Sequence, residues 1–153
     1  MTRAVVLLGA MVMAGASMAQ EPWDVAKQLD LVPTPQEISL ASGGLEISGW
    51  RIVASPDSGT VAAGAAEING RVVDLGGEQL EVVGELPEEG GKIVIGPCSD
   101  PVVARVAAET GAEITPDDPG PQGYLIQWGS VNGRPVILCA GSDELGALYA
   151  AVT

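Results

Sequence analysis

Alternating apolar and polar residues along the chain predict short β-strands, with helices between groups of strands. In the clearest strand, Trp50, Ile52 and Ala54 fall on one side, as a half-buried strand requires. The full set of predicted strands is 37–40, 45–47, 50–54, 79–83, 92–95, 124–128 and 135–140. Asn132-Gly133, between the last two strands, is a hairpin turn signal.

Apolar residues spaced three and four apart predict helices in two further segments. The first helix spans 60–75, and its apolar stripe consists of Val61, Ala65, Ile68, Val72 and Leu75. The second begins with Asp100 as N-cap and Pro101 as first helical residue, and it ends at Gly111. Its buried face consists of Val103, Val106, Ala107 and Thr110.

A third helix is predicted after Ser142, which serves as its N-cap, with Asp143 and Glu144 in the first turn. The predicted buried stripe of this helix consists of Leu145, Leu148, Tyr149 and Val152. Helices that return between strands predict an α/β (or α+β) fold, with a single mixed β-sheet and helices packed on one face. The 153 residues of the chain suffice for one such domain.

The first 19 residues have the pattern of a signal peptide. Arg3 supplies a positive charge, 4–15 is apolar, and Ser17-Met18-Ala19 predicts cleavage before Gln20. Cleavage would place the mature protein outside the cytoplasm, secreted or periplasmic, with no membrane attachment; the alternative is a leader that stays as an anchor. A polar lead, 20–30, then precedes a domain at 31–153.

The amino-acid composition excludes several classes of function. The chain has no His, which excludes a Ser-His-Asp triad, a Cys-His pair and a His-ligated zinc site. Its net charge of -13 argues against nucleic acid as a partner. Cys98 and Cys139 each follow an apolar run, which favours two buried thiols, although a disulfide is the alternative for an exported protein.

The remaining candidates for catalytic residues are three pairs of adjacent acidic residues: Glu88-Glu89, Asp117-Asp118 and Asp143-Glu144. The first two lie in turns rich in Gly or Pro, where acidic side chains are normally solvated. The third opens a helix, where negative charge is favourable, so these explanations are better than catalysis. No calcium-loop, nucleotide-binding or nucleophile-elbow motif occurs. We therefore predict no catalytic, metal-binding or cofactor-binding residue.

Aromatic side chains are few, and they bear on sugar binding. Tyr124, Ile126 and Trp128 share one face of a strand, which would serve either as a stacking platform or, as we favour, as core beneath a helix. Trp23, in the polar lead, is the best candidate for an exposed or interface aromatic.

Motifs at both ends of the domain are familiar. The opening segment reads LVPTPQEI (31–38), and the closing segments read GYLI (123–126), VILCA (136–140) and GALYAAVT (146–153). In this order and spacing they resemble the N-terminal domain that precedes the catalytic barrel in beta-N-acetylhexosaminidases, glycoside hydrolase family 20. The likeness covers nearly all of 31–153.

The resemblance implies a zincin-like accessory domain without zinc or catalysis of its own. In the full enzymes a TIM barrel follows and carries an Asp-Glu pair within a His-x-Gly-Gly-Asp-Glu type motif, which this chain lacks. No catalytic residue is carried over, and Asp143-Glu144 is not that pair. The barrel would be a partner in cis, in a longer parent, or in trans. A glycan is the other partner that the resemblance allows.

Two other functions stay open at this point. One is a stand-alone secreted module that binds carbohydrate or protein. The other is an accessory domain of a different glycosidase, such as an alpha-glucuronidase. The sequence does not decide whether the chain is a fragment or a whole protein.

Overall fold

The computed structural model describes residues 4–7, 37–39 and 45–153. The strands within them are β1 (Ala4–Leu7), β2 (Glu37–Ser39), β3 (Arg51–Ala54), β4 (Glu81–Val83), β5 (Lys92–Pro97), β6 (Tyr124–Val131) and β7 (Arg134–Gly141). The helices are α1 (Gly59–Asp74), α2 (Pro101–Thr110) and α3 (Glu144–Val152). All the strands belong to one sheet, in the order β2-β1-β6-β7-β5-β3-β4.

Strand direction makes this a mixed sheet. β3, β4, β5 and β7 run parallel to one another, β6 runs antiparallel to β7, and β1 and β2 run parallel to β6. The β6–β7 hairpin turns at Asn132 and Gly133, both with positive φ (52° and 71°), as the sequence predicts. The predicted α/β class with a single mixed sheet is confirmed.

Helices cover both faces of the sheet. On one face α1 and α3 pack over Ile52 and Ile95, and on the other α2 packs over Val53 and Val94. The prediction that the helices share one face is therefore wrong for α2. The reason lies in runs such as 93–95, which are apolar on both sides of the strand and need cover above and below.

Local signals place α1 and α2 close to their predicted bounds. Asp100 caps α2, Pro101 opens it, and Gly111 ends it in the left-handed conformation with φ 71°. Leu75, predicted on the buried stripe of α1, is instead its C-cap and is 80% exposed. The predicted strand 45–47 is absent because the Trp50 amide donates to the Ile47 carbonyl at 3.1 Å and closes a turn there.

The predicted cap of α3 is wrong, and its predicted buried face is wrong for Leu145 and Val152, which are exposed, whereas Tyr149 packs against the core. Asp143 is the N-cap, whereas the hydroxyl of Ser142 is buried and has no hydrogen-bond partner in the described part of the chain. The residues of α3 that are fully buried are Gly146, Ala147 and Ala150. A Cβ at Gly146 would overlap the Gly123 carbonyl, so the backbone of α3 approaches the sheet too closely for large side chains.

The predicted leader and the polar lead lie mostly outside the described residues, as do Trp23 and residues 31–36. Within the predicted leader, residues 4–7 form β1, which pairs with β2 and β6. Cleavage before Gln20 stays a prediction.

Candidate functional site

Three helix N-termini gather at the carboxyl ends of β3, β5 and β7, because α1, α2 and α3 each follow one of these strands. Ligands of open α/β sheets usually bind at this edge. A crevice of about 220 Å³ lies here, between the starts of the helices, and its lining includes Ser55, Asp57 and Glu144. The edge is therefore the first place to look for a site.

The chain's own side chains occupy the helix N-termini at this edge. The Ser58 hydroxyl accepts a hydrogen bond from the Val61 amide at 3.2 Å. Asp100 accepts from the amides of Val102 (2.7 Å) and Val103 (3.3 Å). Amides that could bind an anion are thus already satisfied, and the capping carboxylates repel negative charge.

Asp143 connects two segments at the same edge. One of its carboxylate oxygens accepts from the Gly146 amide at 2.8 Å, and the other accepts from the Gln122 amide at 2.9 Å. Glu144 follows in the first turn of α3 and is exposed. Asp143 therefore caps α3, and Glu144 adds a negative charge to its first turn.

The other two acidic pairs lie apart on exposed loops. Glu88 and Glu89 occupy the turn between β4 and β5, and Asp117 and Asp118 lie between α2 and β6. In the described part of the chain, no group of three or more His, Cys, Asp or Glu residues is arranged to hold a metal ion.

The aromatic strand face is largely core. Tyr124 is fully buried, and its hydroxyl accepts a hydrogen bond from the Thr153 hydroxyl at 3.0 Å; burial raises its pKa. Trp128 is half-buried and stacks on Trp50, with ring centroids 6.1 Å apart and planes 24° apart. The favoured interpretation of Tyr124, Ile126 and Trp128 as core is confirmed, and they form no open platform for sugar.

Both cysteines are free thiols, as the sequence favours. Cys139 lies opposite Ile95 in the β5–β7 register, and Cys98 lies three residues further along. That offset, about 10 Å along the strands, exceeds the reach of a disulfide. Burial raises the pKa of Cys139 to about 12, and burial also raises the pKa of the half-buried Cys98, so neither thiol is activated.

A larger opening, which the sequence did not predict, lies at the amino ends of β3 and β4. It is a cleft of about 560 Å³ between the loop that enters β3 and the loop 76–80 that enters β4. Trp50, Val72 and Leu80 supply its apolar lining. The only sequence signal was Gly76-Gly77, which lies on its wall but indicates equally well the end of a helix.

Two polar contacts shape the walls of this cleft. The Asn69 side chain donates to the Leu80 carbonyl at 3.0 Å and accepts from the Leu80 amide at 2.7 Å. Arg51 forms an ion pair with Glu81 at 2.9 Å, across the β3–β4 pair. The first contact fixes the loop before β4, and the second lies in solvent at the rim.

Lys92, at the amino end of β5, is also a residue whose role the sequence did not predict. Its residue surface is 1% exposed, and its ammonium group donates to the Pro87 carbonyl at 2.8 Å. Burial lowers its pKa, and the charges of Arg134 and Arg105 lower it further. The lysine holds the acidic turn 86–91 against the sheet.

Comparisons with known proteins add no relative. No family model matches the chain, and no curated protein matches it. In the described residues, no helix is long and apolar enough to cross a bilayer.

Proposed function

We propose that the chain is an exported accessory domain of a family 20-like glycoside hydrolase. The parent activity would be removal of terminal N-acetylhexosamine from glycans, carried out by a catalytic TIM barrel in cis or in trans. The domain would pack against that barrel and support it. The observation that carries the proposal is the outer face of α3, formed by Leu145 and Val152.

The face of α3 that points away from the sheet carries large apolar side chains, where a helix that faces water usually carries polar ones. Leu145 and Val152 are exposed, since the small residues of α3 contact the sheet. In contrast, Leu148 lies against Gly64 of α1, and Tyr149 packs on the core. Leu145 and Val152 are each 45% exposed, and Leu148 is half-buried. A spacing of seven residues places Leu145 and Val152 on the same side of the helix. Such a stripe fits a partner surface better than it fits water.

The use of acidic side chains at the carboxyl ends of the strands also favours a structural role for the domain over a catalytic one. Its carboxylates at positions 100 and 143 are used as helix caps. The motif likeness over 31–153 supports the family, and the mixed sheet agrees with the α/β fold that the likeness implies.

The test starts with the genomic DNA around the gene. A barrel coding region with an Asp-Glu pair, in frame or adjacent, is the expected result. The barrel is then co-expressed with the wild-type chain and with the double variant Leu145→Glu/Val152→Glu. We expect the wild type to co-purify with the barrel and the double variant to bind at least about tenfold more weakly, because two charges would be buried at the contact.

A matched control is Val73→Glu, because Val73 is 47% exposed on α1, away from the outer face of α3. It should bind the barrel as the wild type does. Absence of any barrel gene nearby, or equal binding by the wild type and the double variant, would refute the proposal. The purified chain alone should not hydrolyse a chromogenic N-acetylglucosaminide, and measurable turnover would also refute it.

A further inference from the structure

The edge of the sheet at β4 differs from the interior strands in its pairing. In the described sheet β4 is the last strand and pairs only with β3, in parallel register from Arg51↔Glu81 to Val53↔Val83. The backbone groups on its other side face outward. A strand edge of this kind can accept an extended segment of another chain.

The cleft lined by Trp50, Val72 and Leu80 lies directly beside this edge. The cleft and β4 share Glu81, and Leu80 immediately precedes the strand while lining the cleft. The side chain of Val82, in the middle of β4, is 50% exposed. A strand added to β4 would therefore meet an exposed valine, with a cavity of about 560 Å³ near its end, large enough for a bulky apolar side chain.

The charge around the edge is predominantly negative. Residues 72–91 contain no Lys or Arg. The exposed carboxylates in this stretch are Asp74, Glu78, Glu81, Glu85, Glu88 and Glu89. Arg51, from β3, pairs with one of them. A partner at this edge would gain from positive charge and lose from negative charge.

We propose that the edge of β4 and the cleft beside it bind an extended, lysine- or arginine-bearing segment of a protein partner. The segment would pair with the outer side of β4, place an apolar side chain in the cleft and set its cations against the acidic rim. The proposal does not rest on the barrel-packing function, because it concerns a different surface. The competing explanation is that the carboxylates merely protect an edge strand from aggregation.

The experiment uses the isotope-labelled full chain and synthetic peptides of about nine residues. One peptide alternates lysine and valine, and its match alternates glutamate and valine. We expect the lysine peptide to change the amide NMR signals of Glu81, Val82, Gly77 and Leu80 most. It should bind at least about tenfold more tightly than the glutamate peptide at low salt, and more weakly as salt is added.

Two controls separate strand addition from loose charge attraction. A lysine peptide with alternate amides methylated lacks the N–H groups that pairing requires, so it should lose most of its affinity. Glu78→Gln/Glu85→Gln should weaken binding by about threefold or more. The control double variant Glu67→Gln/Glu113→Gln removes two exposed carboxylates, one on α1 and one after α2, and should leave binding unchanged.

Equal binding of the lysine and glutamate peptides would overturn the proposal and leave the rim as edge protection. Undiminished binding of the methylated peptide, or signal changes centred away from β4, would overturn it as well. None of these three outcomes bears on the barrel-packing function of α3, so failure of this proposal is distinguishable from failure of that function.

Discussion

The two ends of the parallel strands differ in what the chain does with its polar groups. At the carboxyl ends of β3, β5 and β7, the helix N-termini are closed by Ser58, Asp100 and Asp143. At the amino ends, a cleft stays open beside Trp50, and Lys92 is buried nearby on β5. The edge that usually carries the site of an α/β fold is thus capped, and the opposite edge is open.

This difference shows that the topology of the fold places backbone amides at one edge of the sheet, but it does not determine whether those amides are free to bind a ligand. Converging helix N-termini supply backbone donors wherever strands and helices alternate. A short polar side chain at each N-cap position, serine or aspartate, accepts hydrogen bonds from these donors. An open surface then arises where two loops stay apart, and here it lies between the loops that enter β3 and β4.

Gly141→Ala should reduce stability most, because it disrupts the contact between β7 and the start of α3 at the carboxyl ends of the strands. A Cβ at Gly141 would overlap the amide nitrogen of Ala147 and the carbonyl of Asp143. Backbone cannot yield as a side chain can, so we expect a loss of about 3 kcal/mol or more in the free energy of unfolding, measured by urea denaturation. Gly70→Ala is the control: it meets open space on α1 and should stabilise by about 0.5–1 kcal/mol. Equal effects of the two substitutions would contradict the close approach of α3 to β7.

Asn69→Ala should come next, because it loosens the wall of the open end. The substitution leaves the amide and carbonyl of buried Leu80 without their partners. We expect a loss of about 2–3 kcal/mol by urea denaturation, with faster amide hydrogen exchange at Leu80. Unchanged exchange at Leu80 would show that the loop is held by other contacts.

Asp143→Ala should cost about 1–2 kcal/mol, because it removes one helix cap and the link to Gln122. Asp143→Asn keeps an oxygen for capping and should retain most of the stability. Thermal unfolding of both variants measures the difference. An alanine variant as stable as the asparagine variant would mean that the cap contributes little.

The smallest expected effect is a pH dependence from Lys92 at the open end. Burial lowers the pKa of Lys92 in the folded protein below its ordinary value of 10.5. At a pH between the folded and the unfolded pKa, the unfolded chain therefore binds more protons than the folded chain. The free energy of unfolding should therefore gain a rising contribution from Lys92 as pH approaches 10.5, and Lys92→Met should remove it. Cys139 acts with opposite sign, and only above its ordinary value of 9.0. Urea denaturation between about pH 7 and 10 checks this, and identical pH profiles for wild type and variant would contradict it.

Sequence reasoning succeeded where a few neighbouring residues determine the structure. The α2 bounds follow from Asp100-Pro101 and Gly111, and the hairpin follows from Asn132-Gly133. It failed for α3, since hydrophobicity ranks leucine above glycine and cannot reveal that Gly146 touches the backbone at Gly123. The cleft was equally out of reach, because its walls come from 47–51 and 72–81, whose meeting depends on the whole sheet.

The stacked indoles of Trp50 and Trp128 have an optical consequence. Two such chromophores, with centroids 6.1 Å apart, couple their electronic transitions and should add an exciton pair of bands to the circular dichroism spectrum. Trp50 immediately precedes β3 and Trp128 lies on β6, with β5 and β7 between these strands in the sheet. The bands would therefore report assembly of the sheet across four strands, and the protein would carry this reporter without any added label.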